Sequence, residues 1–247
     1  MKKKQHHPAV KNAVVAVLHL LEEVFALSKW RLKFSKLGMG KYISHLDLLR
    51  TFTRSIHRAE LPVRYSQGFN PHQLITFSLP LALGVTSETE FVDIDFEDTV
   101  SPDEILTKLN KNLPPDIKIL KVSQPVFKAH NIVSAKYIID ITSADDVTKE
   151  EIESFFEQKD INATKKTKKG EKEINLRDFI KVVNVISIDG KSFRLDAVLL
   201  AGGEANIKPD IVVAKLQEYL DAGEFESVDI HRTEIFFEND KKIESFC

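Results

Sequence analysis

Cysteine is almost missing: among 247 residues it occurs once, at Cys247. A disulfide framework is therefore excluded within this chain, as is any zinc or iron–sulfur centre that needs several thiolates. Long apolar runs are also lacking. The opening MKKK and the stretch Ala13–Leu18 have the outline of a weak signal peptide. His19, Glu22 and Glu23 interrupt that run, however, and no stretch is long enough to span a bilayer. We expect a cytoplasmic protein with no membrane partner. Strong net charge is absent as well; a formal charge of −2 argues against wholesale electrostatic binding. No residue-level repeat and no recognised metal-ligand spacing occur, so no cofactor is expected.

What is present is enough apolar material for a core, 43% of residues, in a length that suits one large or two small domains. Charge is unevenly spread. From Lys29 to His72 nine Lys/Arg face only Asp47 and Glu60, whereas Val85 to Glu104 holds eight Asp/Glu and no Lys/Arg. A nearly neutral molecule can thus carry a local anion site.

Periodicity predicts two units of like design. Val14, Val17, Leu18, Leu21 and Phe25 fall at helical spacing, which predicts an N-terminal helical extension over residues 1–28. Trp30, Leu32 and Phe34 then alternate with polar neighbours as a half-buried strand. A helix from His45 to about Ala59 has Ser44 as its cap, with Asp47 three places on completing a capping-box pattern. Two alternating strands follow, around Ile75–Leu79 and Val92–Phe96, then a helix after Ser101-Pro102 and a strand over Ile117–Val122. The order βαββαβ is ferredoxin-like, over residues 29–130.

Residues 131–247 repeat the order with an additional hairpin. A strand at Tyr137–Ile141 precedes a helix capped by Thr148 and Glu151. One hairpin turns in the Lys165–Lys172 run and another at Asp189-Gly190. A helix from Pro209 and a strand from Val228 close the unit. The predicted class is α+β, two tandem ferredoxin-like domains behind a helix.

Three constellations in the first unit carry chemistry. The helix stripe Asp47, Arg50, Arg54, His57/Arg58 lines up guanidinium groups over about 12 Å of axis, either as a phosphate-binding face or as a solvated one. The loop Arg64-Tyr65-Ser66-Gln67-Gly68-Phe69-Asn70-Pro71-His72 offers amide, hydroxyl, imidazole and aromatic groups. A turn requires its Gly, Asn and Pro for backbone reasons, but not Arg64, Gln67 and His72. Third, His45 and His72 could meet for acid–base work, although histidines are often structural. We take Lys36, His45, Arg50, Arg54, Arg58, Arg64, Tyr65, Gln67, Gly68, Asn70 and His72 as candidate ligand-binding residues, with His45 and His72 the weak catalytic candidates. Two charge runs are read plainly: the lysines at 165–172 as a solvated hairpin tip, and Glu88, Glu90, Asp93, Asp95, Glu97, Asp98 as a wet sheet face or edge guard.

The strings Phe34-Ser35-Lys36, Ser44-His45-Leu46-Asp47, Arg58-Ala59, Leu61-Pro62, Tyr65 to His72 and Pro80-Leu81 make this chain similar to a bacterial family of radical-SAM-linked proteins whose domain has no assigned function. The likeness is specific there and loose from Trp30 onward, with Leu176-Arg177 as a minor landmark. Gln73 stands where the family has a small residue or proline. Members occur alone or fused behind a radical SAM protein with a cobalamin-binding-type domain, so the resemblance implies a radical SAM partner. Three cluster-binding cysteines are not available here, which makes this chain the accessory. An arginine helix beside an aromatic and amide loop can present RNA, whose bases stack and whose phosphates pair with Arg.

The leading expectation is a non-catalytic module that binds tRNA or rRNA for such an enzyme. Two alternatives stand beside it. One is a metal-independent RNA-processing enzyme with His45 or His72 as base on a 2′-hydroxyl, by analogy with double ferredoxin-like CRISPR repeat-cleaving proteins. The other is a purely structural interaction module.

Overall fold

The computed structural model describes residues 29–97, 100–167, 170–203, 205–221, 223–239 and 242–245. The helix expected over residues 1–28 lies outside them. Strand β1 (Lys29–Lys36) turns Leu32 and Phe34 into a core where both are wholly buried. A 3-10 turn, Gly38–Tyr42, leads to helix α1 (His45–Arg58). Ser44 caps α1 by accepting the Asp47 amide at 3.2 Å, while its own hydroxyl donates to Asp47 Oδ2 at 2.7 Å. The apolar face of the helix, Leu48, Phe52 and Ile56, packs on β1 and on strands β3 (Thr86–Asp95) and β4 (Ile117–Ser123). Helix α2 (Pro102–Asn112) adds Ile105 and Leu109 to the same cluster. Burying each such side chain contributes about 1.5–3 kcal/mol. The short strand β2 (Ile75–Phe77) runs along the outer half of β3.

The second half repeats this plan. Strand β5 (Ile132–Thr142) is followed by α3 (Lys149–Glu157), which Thr148 and Glu151 close with a reciprocal capping box. Strands β6 (Asn162–Thr167) and β7 (Gly170–Asn175) form a separate two-stranded sheet. Strands β8 (Ile180–Asp189) and β9 (Ser192–Leu200) pair down to Asp189↔Ser192, so the two-residue turn is Gly190-Lys191, one position later than the expected Asp189-Gly190, with Gly190 at φ +54° as its first residue. Helix α4 (Pro209–Leu220) and strand β10 (Ser227–Asn239) complete the half, and β11 (Lys242–Ser245) folds back on β10.

The tandem expectation implies two sheets; the main sheet is in fact one. Nine strands run β4-β1-β3-β10-β5-β9-β8, with β2 added on β3 and β11 on β10. Within the halves the orders are β4-β1-β3-β2 and β10-β5-β9-β8, every neighbour antiparallel. A parallel pairing, Thr86 with His231 and Ser87 with Arg232, joins them. The fold is a mixed α/β one with a large mixed sheet and, among the described residues, four α-helices. No described helix is long and apolar enough to cross a membrane.

The acidic run is only partly a wet face: Glu88 and Glu97 are exposed, but the three carboxylates between them are paired. Glu90 is 3% exposed and bound to Arg232, Asp93 takes both donors of the buried Arg31 at 2.7 and 2.8 Å, and Asp95 pairs with Lys29 at 3.4 Å. Strands on both sides of β3 bring cations to Glu90, Asp93 and Asp95, so at those three positions alternation marks pairing rather than exposure.

Candidate functional site

The loop after α1 is a clasp. Its base is sewn to β3, with the Arg64 amide donating to Asp95 O at 2.8 Å and Val63 bridging Phe96. One step out, Tyr65 bridges Gln73. One step further, the Ser66 amide donates to His72 O at 2.8 Å, and Ser66 Oγ accepts the His72 amide at 3.1 Å and meets His72 Nδ1 at 2.9 Å. Only Gln67, Gly68, Phe69, Asn70 and Pro71 extend beyond these rungs. Gly68 has φ +128°, open to glycine but strained for other residues, and no neighbour crowds the position, so conformation rather than space selects it. The consequence is Phe69, whose side chain is fully in solvent at 103% relative exposure. A single wholly exposed Phe on a hydrogen-bonded stalk has its apolar surface available to a ligand.

Gln73 ties the clasp to α1. It is 7% exposed, and its Nε2 donates to Tyr65 Oη at 3.2 Å and reaches Thr53 O at 3.5 Å. Gln73 therefore joins loop to helix. Its Oε1 is buried without a partner. Next to Thr53 on the helix, Arg54 is exposed, and Arg50 lies one turn back, paired with Asp47 at 3.0 Å with both side chains more than half exposed. Asp47 titrates below its ordinary 3.8, first because the Ser44 hydroxyl donates to it and then because of Arg50.

The expected set is thus partly gathered. Tyr65, Gln67, Gly68, Asn70 and His72 share the clasp, Arg64 lies at its base, and Arg50 and Arg54 are on the adjoining helix. Arg58 is turned elsewhere: its guanidinium donates to Asn112 O at 2.6 Å and Ser55 Oγ at 3.0 Å, closing the C-terminal end of α2. Lys36 is 1% exposed, donates to Ile43 O at 2.8 Å and neighbours Glu90 and Arg232. Burial pushes its ammonium below the usual lysine range. The two histidines have different partners. His45 meets the Phe77 ring edge-on at 5.3 Å, and His72 is engaged by Ser66. The Ser66–His72 contact has the look of a nucleophile and base, but no carboxylate orients the imidazole among the described residues, so it reads as loop closure. No group of three or more His, Cys, Asp or Glu is placed to hold a metal among the described residues.

No curated protein matches the sequence. Among solved structures, the chain is similar to one in the crystal structure of a Cbf5–Nop10–Gar1 complex, with a TM-score of 0.50 and 10% identity over 89% of this chain and 52% of that one. It is also similar to one in the structure of an H/ACA RNP bound to a substrate RNA containing 2′-deoxyuridine, with a TM-score of 0.48 and 9% identity over 86% of this chain and 49% of that one. The chain thus spans about half the length of these two chains, and the likeness concerns the fold. The profile described as "uncharacterized protein conserved in bacteria (DUF2344)" matches residues 29–209, from β1 to the start of α4, and the chain belongs to that family.

Proposed function

We propose that the chain is a pair of ferredoxin-like halves merged through one sheet, and that it binds RNA with the Tyr65–His72 clasp and the outer face of α1. On this reading it presents tRNA or rRNA to a radical SAM enzyme, as the sequence resemblance implies. The observation that carries the RNA part is Phe69, a fully exposed ring held out by a clasped loop whose base is tied through Gln73 to the helix that bears Arg50 and Arg54. Unpaired bases stack on such rings, and the exposed Arg50 and Arg54 on the joined helix would pair with adjoining phosphates. Gln67 and Asn70 add amides able to read base edges. Catalysis by this chain has no comparable support, because each histidine is engaged locally.

The test is fluorescence anisotropy with labelled tRNA and a single-stranded oligoribonucleotide at several salt concentrations. Phe69→Ala is expected to weaken binding roughly 5- to 100-fold, since stacking contributes about 1–3 kcal/mol per base. Arg54→Ala is expected to lower the salt dependence by about one charge. Absence of RNA binding at low salt overturns the RNA part. If a partner enzyme nevertheless co-purifies with wild type and is lost with Phe69→Ala, the clasp is a protein interface.

A further inference from the structure

Away from the clasp, where the two halves meet, a cleft of about 340 Å³ opens between the Leu79–Val85 segment and the Asn206–Pro209 approach to α4. That volume is within the usual range for small-molecule sites. One wall is apolar, with Leu79, Pro80, Leu81 and Ala82; Ile207 and Pro209 face it from the second half. The polar groups are Tyr137, Arg232, Asn206 and Lys208.

Beneath the cleft lies a row of polar side chains, one from each of four adjacent strands: Lys36 on β1, Glu90 on β3, Arg232 on β10 and Tyr137 on β5. All four residues are at most 5% exposed. Glu90 takes Arg232 Nε and Nη2 at 2.6–2.9 Å; Nη2 also donates to Leu79 O at 3.2 Å, and the Tyr137 hydroxyl bonds the same guanidinium. Two buried cations therefore stand against one buried carboxylate: Glu90 is bonded to Arg232, while Lys36, which donates to Ile43 O, feels it only at longer range. Buried charge without a counter-charge is costly. Lys208 at the cleft rim adds a cation, and Asp210 beyond it is the opposing carboxylate. The balance around the cleft remains positive by one charge, and the α4 N-terminus has no side-chain cap.

We propose that this cleft binds a small organic anion, its apolar body against Leu79–Ala82 and Ile207 and its carboxylate or phosphate end toward Arg232, Tyr137 and Lys208. The site is separate from the clasp and stands whether or not the clasp binds RNA.

The experiment titrates the full chain with 1-anilinonaphthalene-8-sulfonate, an apolar ring system with one anionic group, and reads its fluorescence. Benzoate, phenyl phosphate and uncharged benzyl alcohol are then used to displace it. One site per chain is expected, abolished by Ala82→Trp, which fills the cleft. Lys208→Gln and Tyr137→Phe are expected to weaken it about tenfold each, the loss of one bond to a charged group. Thermal melts of each variant confirm that it is folded. The better displacer of benzoate and phenyl phosphate identifies the head group. Dye binding that a folded Ala82→Trp leaves unchanged overturns the proposal, as does displacement by benzyl alcohol equal to that by benzoate.

Discussion

Glu90 is the residue on which the seam depends electrostatically. Its carboxylate pairs with Arg232 and attracts the Lys36 ammonium at longer range, and removing its charge would leave both buried cations without a counter-charge. Glu90→Gln is expected to destabilise the chain by about 3–5 kcal/mol, measured by urea unfolding; a loss near zero would mean that water reaches the pair. Lys36 gives a pH effect. Its folded pKa is lowered from 10.5, so the penalty for burying the ammonium is complete below the folded pKa and fades as pH rises toward 10.5. Relative to Lys36→Met, wild type should therefore gain stability on going alkaline; parallel stability–pH curves for the two would contradict this. Asp47 runs the other way. Its folded pKa is below 3.8, so its contribution is present above 3.8 and lost as pH falls through the folded value. Ser44→Ala should return its titration toward 3.8, read by carboxylate NMR, and an unmoved titration would remove the hydroxyl as the cause.

At the scale of elements, α1 and the clasp behave oppositely. The helix is held by Phe52, which meets Phe34 at 5.1 Å and Phe77 at 5.4 Å, both edge-to-face. Phe52→Ala is expected to cost about 3–5 kcal/mol in unfolding experiments. Phe69→Ala should change stability by less than about 0.5 kcal/mol, because the ring buries nothing. A large loss of stability there would argue that Phe69 belongs to the fold rather than to a ligand. The caps of α1 and α3 are legible in the sequence, and the β8–β9 turn to within one residue, since each depends on residues within three or four positions. The orientation of Arg58 is not: its acceptor, Asn112 O, lies 54 residues away.

For the whole molecule, the question is how independent the halves are. They share only two backbone register pairs, but side chains cross the seam: Thr86 Oγ1 meets His231 Nδ1 at 2.8 Å, Lys41 pairs with Asp229 at 2.9 Å, and Leu79, Val85 and Phe91 are buried in the second half's core. Residues 29–130 expressed alone should expose that apolar trio and aggregate or unfold without a sharp transition. A cooperative melt of that piece would show that the first half folds by itself. At Gly202, φ is +139° and a Cβ would lie 2.1 Å from Ile132 O, so Gly202→Ala should displace the β9–α4 connection that forms one side of the cleft.

The sequence by itself determined what is local. Period-two alternation marked the strands, Ser and Thr marked the helix starts, and the glycine and aromatic pattern marked the clasp, because these features depend on neighbours along the chain. Tertiary structure alone decided that β10 would return to join two sheets, and that Lys36 and Glu90 would be buried. The cation that makes Glu90 an interior residue is 142 positions away, and a period-two pattern cannot distinguish a carboxylate facing water from one facing a distant arginine. The cleft belongs to that second category, since its walls come from opposite halves and close only when the sheet does.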